Sequence, residues 1–151
     1  EVSLPFESVC YENSKNFNID IEPNIFIKAD EASIKQLIVI LIDNAIKYSN
    51  ENGDIKVVLK KSNEKAIISV FNTGEFIPKD KINLLFDRFY RIEESRNRAK
   101  GGSGLGLSIA KRIVEENNGS ITVLSEKEVG NTFKCTFDLH KHKKQSPNNS
   151  K

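Results

Sequence analysis

Apolar and polar positions alternate over FNIDIE (17–22) and IFIKAD (25–30), on either side of Pro23-Asn24, which predicts two strands joined by a tight turn. Before them, residues 3–9 predict a short strand leading into a helix over ESVCYENSKN. EASIKQLIVILIDNAIKYS follows as the longest helical segment, with Asp30 placed to cap it. DIKVVLKK (54–61) and KAIISVFN (65–72) are rich in β-branched residues and predict two strands joined by SNE. Pro78 starts a short helix over PKDKINLLF. Residues 87–103 lose apolar periodicity and predict a long loop, a feature that in compact domains usually serves function. A helix over 104–118 carries Leu105, Ile109 and Ile113 on one stripe and stops at Asn117-Asn118-Gly119. SITVLS and NTFKCTFDL close the chain as strands, the second with Phe133, Cys135, Phe137 and Leu139 on one face, so Cys135 is a core residue. Strand and helix do not alternate strictly, which disfavours a doubly wound parallel sheet. The order predicts a two-layer α/β sandwich of the α+β kind, with helices on one face of a mixed sheet. Residues 1–139 are expected to form one domain, and the polar stretch 140–151 a disordered tail.

Composition narrows the function classes. The chain has 151 residues, a formal net charge of +2, 38% hydrophobic and 29% charged residues, which is ordinary for a globular domain and too weakly basic to argue for nucleic acid. Cys10 and Cys135 show neither metal-ligand spacing nor a disulfide framework. No apolar run approaches the roughly 20 residues of a membrane span. The absence of methionine and the start at Glu1 suggest a piece of a longer protein. The five arginines, Arg88, Arg91, Arg96, Arg98 and Arg112, fall within one short region, whereas lysine is spread throughout. Arginine suits bidentate phosphate contacts, and a solvated basic loop is the plainer alternative.

The candidate chemistry starts from GGSGLGLSIAKRI (101–113), a glycine cluster feeding a helix. The dinucleotide fingerprint fails because Leu107 stands where the third glycine belongs, and the P-loop fails because the same leucine replaces the lysine. A G-x-G-x-G pattern remains at Gly102, Gly104 and Gly106, able to bring backbone amides and a helix start close to an anion. At 100° per residue, the long helix carries an apolar arc through Leu37, Ile38, Val39, Leu41, Ile42, Ala45 and Ile46. The complementary arc holds Ile40, Asp43, Asn44 and Lys47 with Tyr48 at its margin. An amide oxygen suits Mg2+, an ammonium suits phosphate and a phenol ring suits a base. VFNTGEFIP (70–78) and LLFDRFYRIEESR add a glycine turn after a strand and an aromatic–arginine cluster at the mouth of the long loop.

In this order the four segments resemble the N, G1, F and G2 boxes of the catalytic ATP-binding domain of bacterial two-component sensor histidine kinases. That domain is of the GHKL type and shares the Bergerat fold with gyrase, heat-shock chaperone and mismatch-repair ATPases. The resemblance runs from about residue 30 to 139, and FDRFYR followed by GGSGLGLSIAKRIVE points to the kinase branch. It implies a mostly antiparallel sheet of about five strands, three main helices on one face and a long ATP lid. By similarity, Asn44 coordinates Mg2+, Lys47 contacts phosphate and Tyr48 packs on adenine or ribose. Asn72 accepts from the adenine amino group where the family usually has Asp, and Gly74 and Ile77 floor the base pocket. Phe86 and Phe89 anchor the lid, Arg88 approaches the phosphates and Arg91 takes the γ-phosphate. Gly102, Gly104 and Gly106, with Leu105 and Leu107, form the lid hinge and phosphate-facing amides, and Thr132 lies near the adenine.

Three positions depart from the family pattern. Ile40 stands where gyrase-like relatives carry the glutamate that activates water, which disfavours hydrolysis to free phosphate. Asn72 keeps an acceptor without a charge, and Phe76 replaces the second glycine of G1. No phosphoacceptor histidine matches, since His140 and His142 lie in the tail. The expectation is a protein-histidine kinase domain that binds ATP and Mg2+, transferring the γ-phosphoryl group to a histidine on an upstream dimerisation domain for relay to a response regulator. The alternative is a degenerate nucleotide-binding signalling module. Asp87, Glu93 and Glu94 interrupt the basic loop and argue against nucleic acid. The fragment is expected to be monomeric and cytoplasmic, and the intact protein a homodimer anchored in the cell membrane.

Overall fold

The computed structural model describes residues 15–87 and 106–140. Its elements in chain order are β1 (Asn16–Ile21), α1 (Glu31–Tyr48), β2 (Asp54–Ser62), β3 (Lys65–Asn72), α2 (Lys79–Ile82), a 3-10 turn (Asn83–Phe86), α3 (Gly106–Glu116), β4 (Ser120–Glu126) and β5 (Gly130–Asp138). The strand and helix predicted within residues 1–14 lie outside the described residues, as do residues 88–105 and the tail beyond His140.

The five strands form one sheet in the order β1-β2-β3-β5-β4. β1 runs parallel to β2, and every other neighbouring pair is antiparallel. β2 and β3 are joined by a two-residue loop, Asn63 at φ 51° and Glu64 at φ 65°, the doubly left-handed turn whose twist matches a hairpin. One predicted strand is absent. Residues 25–30 alternate in burial, with Ile27 against the core, yet join no ladder. Asn24 turns the chain at φ 61°, and the Phe26 carbonyl then accepts from His140 N at 2.7 Å. The alternation there marks a half-buried extended segment leading to α1, while β1 pairs with β2 instead.

Helix α1 begins where Asp30 caps it, its Oδ2 accepting from Ser33 N at 2.9 Å and Ser33 Oγ at 2.8 Å. Both bonds favour the charged carboxylate and hold Asp30 below the usual aspartate pKa. Leu37, Leu41, Ile42 and Ala45 of α1 are buried, whereas Val39, expected on the apolar arc, is exposed. α1 packs against α3 and against the face of β2 and β3. From α3 the buried positions are Ala110, Ile113 and Val114; Ile109 is only half-buried, and Leu105 lies outside the described residues. The sheet contributes Ile55, Val57, Ile68, Val70, Phe133, Cys135 and Phe137 to the same core. Each such side chain contributes about 1.5–3 kcal/mol by leaving water. Burial pushes the Cys135 thiol up to about 12, so it behaves as a small core hydrophobe.

Helix α3 ends in a Schellman motif. Gly119 N donates to the Val114 carbonyl at 2.8 Å and Asn118 N to Glu115 at 3.1 Å, with Asn118 at φ 63°. Asn117 joins this end of α3 to the start of α1: its Nδ2 donates to the Ile113 carbonyl at 2.8 Å and its Oδ1 accepts from Asp30 N at 3.0 Å.

Candidate functional site

Asn117 at the end of α3 bonds Asp30 at the start of α1, and Gly106 at the start of α3 faces Ile40 midway along α1, so the two helices run in opposite senses. The end of α1 meets the loop after β3, beside the first residues of β5. Asn44 and Lys47 stand on the last turns of α1, both half-buried, and Lys47 Nζ pairs with Asp43 Oδ2 at 3.1 Å. Ile40 lies one turn before Asn44. A Cβ placed on Gly106 would sit 3.5 Å from Ile40 Cγ2, so the first residue of α3 faces the Ile40 turn of α1. The position one turn before Asn44 is thus apolar and faces the start of α3.

Tyr48 closes α1, and the following residue, Ser49, forms a bridge with Gly74. Contact here is too close for any side chain: a Cβ on Gly74 would come within 2.7 Å of the Tyr48 carbonyl oxygen and 2.9 Å of Asn72 Nδ2. The loop after β3 is tied to the residues after α1 by Asn50 N donating to Thr73 O at 3.0 Å, while Thr73 Oγ1 accepts from Asp54 N at 3.0 Å. The structure therefore brings Tyr48, Asn72 and Gly74 together, as the sequence suggests. Asn72 is 2% exposed at the end of β3, its Nδ2 donating to the Thr73 carbonyl at 3.0 Å, which directs Oδ1 as the acceptor atom of that amide. Ile77 is buried in the same loop.

Thr132 does not join this group. In β5, Asn131, Phe133, Cys135 and Phe137 are buried toward the helices, so the intervening Thr132 points to the opposite face, in register with Phe71 and Leu124. Asn131 is the β5 residue opposite Asn72 in the ladder, and it is 5% exposed. Its Nδ2 donates to the Glu75 carbonyl at 2.9 Å, and its Oδ1 accepts from Ser125 Oγ, which in turn accepts from Ile77 N at 2.8 Å. Sequence reasoning passed over both Ser125 and Asn131. Each is a polar residue in the inward phase of its strand, after Ile121 and Val123 and before Phe133 and Cys135, which is the signal that finds them.

The Phe86 ring lies edge-on to Phe133, centroids 6.5 Å apart at 78°. Leu85 beside it is buried. Gly106 and Leu107 open α3, with Leu107 packed on the core. Phe89, Arg88, Arg91, Gly102, Gly104 and Leu105 lie outside the described residues. Among the described residues, no group of three or more His, Cys, Asp or Glu gathers to hold a metal. No described helix is long and apolar enough to cross a membrane.

A two-layer sandwich with this mixed five-stranded sheet, the helices packed on one face, is the Bergerat architecture of GHKL-type ATPases. The sequence profile of the family described as histidine kinase-, DNA gyrase B-, and HSP90-like ATPase matches residues 29–141. The chain belongs to that family. Within it, the chain is 45% identical over 124 residues to the signal transduction histidine-protein kinase ArlS of Staphylococcus aureus (strain USA300), covering 82% of this chain and 26% of ArlS. The chain thus spans about a quarter of the length of the curated relatives it matches. Among solved structures, the nucleotide-free catalytic domain of histidine kinase ThkA superposes with a TM-score of 0.77 at 29% identity, covering 91% of this chain and 87% of that one. ThkA in complex with response regulator protein TrrA gives a TM-score of 0.76 at 28% identity, over 92% of this chain and 38% of that chain.

Proposed function

We propose that this chain is the ATP- and Mg2+-binding catalytic domain of a sensor histidine kinase, passing the γ-phosphoryl group of ATP to a histidine on an upstream dimerisation domain. The observation that carries the reading is that the last turns of α1, with Asn44 and Lys47, lie between the Ile40 turn faced by the start of α3 and the Tyr48 carbonyl against which Gly74 packs. Gly74, without a side chain, lets the Tyr48 carbonyl come close to the loop after β3; in this reading Gly74 and Ile77 floor the base pocket and Asn72 accepts from the adenine amino group. The start of α3 supplies backbone amides and the positive end of its dipole to phosphate, and Lys47 adds a cation that leaves Asp43 for the phosphates. A single amide oxygen from Asn44, with no group of three or more acidic, His or Cys side chains gathered among the described residues, fits Mg2+, which keeps several waters and shares phosphate oxygens. Arg88 and Arg91 are assigned to the phosphates, with Arg91 on the γ-phosphate, and Gly102, Gly104 and Leu105 to the lid.

In the transfer, an imidazole nitrogen of the acceptor forms a bond to the γ-phosphorus. The bond to the β–γ bridging oxygen breaks, ADP leaves with its electron pair, and the imidazole proton passes to solvent. Positioning and charge stabilisation dominate such a step. Ile40, packed toward Gly106, offers no base to activate water and so favours transfer over hydrolysis. The phosphohistidine then serves a response regulator, a partner class that the ThkA–TrrA complex supports. The intact protein is a membrane-anchored homodimer with this domain in the cytoplasm, and the isolated domain is a monomer.

The test joins or mixes the chain with its upstream helical domain and labelled ATP and follows acid-labile phosphoprotein. Label is expected, and Asn44→Ala abolishes it; label that survives this substitution removes the metal assignment. Tight ATP binding without label identifies a signalling module that transfers nothing, and free phosphate from the isolated chain identifies a hydrolase.

A further inference from the structure

The loop 75–77 is held by the end of the β4–β5 hairpin. Ser125 Oγ accepts from Ile77 N at 2.8 Å and donates its single proton to Asn131 Oδ1, while Asn131 Nδ2 donates to the Glu75 carbonyl at 2.9 Å. The relay leaves from one backbone group of the loop and returns to another, either side of Phe76. Lys127 at the hairpin turn adds a second tie, its Nζ 5.3 Å from the centroid of the Phe76 ring. The hairpin reaches this close because Gly130 adopts φ 149°, where a Cβ would meet the Asn72 carbonyl oxygen at 2.4 Å. Both relay side chains are withdrawn from water, Asn131 at 5% exposure and Ser125 half-buried. Removing one partner in such a place strands the other group, which costs more than the bond itself contributes.

We propose that Ser125 is a positioning residue of the nucleotide site: through Ile77 N and Asn131 it sets the height of the base-pocket floor. This rests on the reading of Gly74 and Ile77 as that floor. Ser125 acts on the loop and not on α1, so it governs how tightly ATP is held and leaves Asn44 and Lys47 in place. The relay therefore predicts a split: affinity falls while the rate at saturating ATP holds.

Ser125→Thr and Ser125→Val are nearly isosteric and differ in the hydroxyl alone, which separates the relay from packing. Calorimetry of ATP with Mg2+ on the 151-residue chain is expected to show Kd near wild type for Thr and about tenfold weaker for Val. In phosphorylation with the upstream domain, Val raises KM for ATP by a similar factor and leaves the saturated rate within about twofold. Should Val fail to fold, Asn131→Asp keeps the acceptor for Ser125, loses the donor to Glu75, and is expected to weaken ATP in the same direction. Equal Kd for Thr and Val, with only melting temperature changed, overturns the proposal while the nucleotide site stands. Wild-type chain that binds no ATP overturns the proposal together with the reading beneath it.

Discussion

The two ends of the β3–β5 ladder are built from the same pair of strands and treat polar groups in opposite ways. At one end the row is Asn72 opposite Asn131, both buried and both bonded to loop backbone. At the other it is Lys65 opposite Asp138, an ion pair with side chains 48% and 74% exposed. The helices repeat the contrast. At the Lys65 end the start of α1 takes its anion from the chain itself, through Asp30, and the end of α3 is closed by Asn117 and Asn118. At the Asn72 end, the proposed function gives the start of α3 its anion from ATP. One end spends its polar groups on finishing the fold, the other on holding a loop in a shape that a ligand can use.

The sharpest way to break this contrast is to damage each end and read stability and ATP affinity separately. Phe137 is 2% exposed and packs toward the Lys65 end, where a Cβ on Gly119 would touch its ring at 2.7 Å. Phe137→Ala is expected to cost about 3–5 kcal/mol in denaturant unfolding. At temperatures where the variant stays folded, its ATP affinity should remain within about twofold of wild type, since Phe137 stands at the Lys65 end of the ladder, away from Asn72. A large loss of affinity in the folded variant would show that the two ends are not separable.

Gly74→Ala attacks the other end. The added methyl clashes with both the Tyr48 carbonyl and the Asn72 amide, so overpacking is expected to cost about 1–3 kcal/mol. The effect on ATP should be the larger one, at least about tenfold in Kd, because under the proposed function the shift falls on the base pocket. Less stability lost and more affinity lost than in Phe137→Ala is the signature the contrast demands.

These two residues also show what a sequence reveals and what it hides. Phe137 was legible because a strand has period two, and its phase with Phe133 and Cys135 survives any uncertainty about partners. Gly74 was legible through its place in a motif, although the reason for it, the approach of the Tyr48 carbonyl, exists only in three dimensions. Thr132 was misplaced by one position. In a strand that flips a side chain to the other face, and Asn131 took the place beside Asn72. The 25–30 segment has a strand's alternation without a strand's ladder, since periodicity reports burial and not pairing. Ile40 was set on the polar arc of α1, where one sequence cannot show that the start of α3 would face it. Asp30 and the Asn117-Asn118-Gly119 stop came through intact because caps are local chemistry.

The cap at Asp30 offers a smaller test, by pH. Its carboxylate is held below the usual aspartate value, so the unfolded chain binds the proton more readily than the folded one. The stability this contributes is complete above the usual aspartate range and is lost as pH falls through the lower, folded value. Melting temperatures measured on acidification should fall more for wild type than for Asp30→Asn, which has no such proton to bind. The Kd for ATP above that range should be the same in both, because the cap lies at the end of α1 away from Asn44. A parallel fall in the two proteins would assign the acid loss to other carboxylates.

Lys65 and Asp138 should give the smallest effect, and its smallness is the point. The pair stands directly across the ladder, the arrangement in which opposite charges help a sheet, yet both groups keep much of their water. A double-mutant cycle with Lys65→Ala and Asp138→Ala is expected to return a coupling of about 0.2–1 kcal/mol, weaker at high salt. The Asn72–Asn131 row at the other end lies in a nearly dry setting, where a stranded amide has no water to turn to. If the exposed pair couples more strongly than Ser125 and Asn131 do in the equivalent cycle, burial is not what distinguishes the two ends. If it couples as weakly as expected, the polar groups at the Asn72 end owe their weight to the loop they hold.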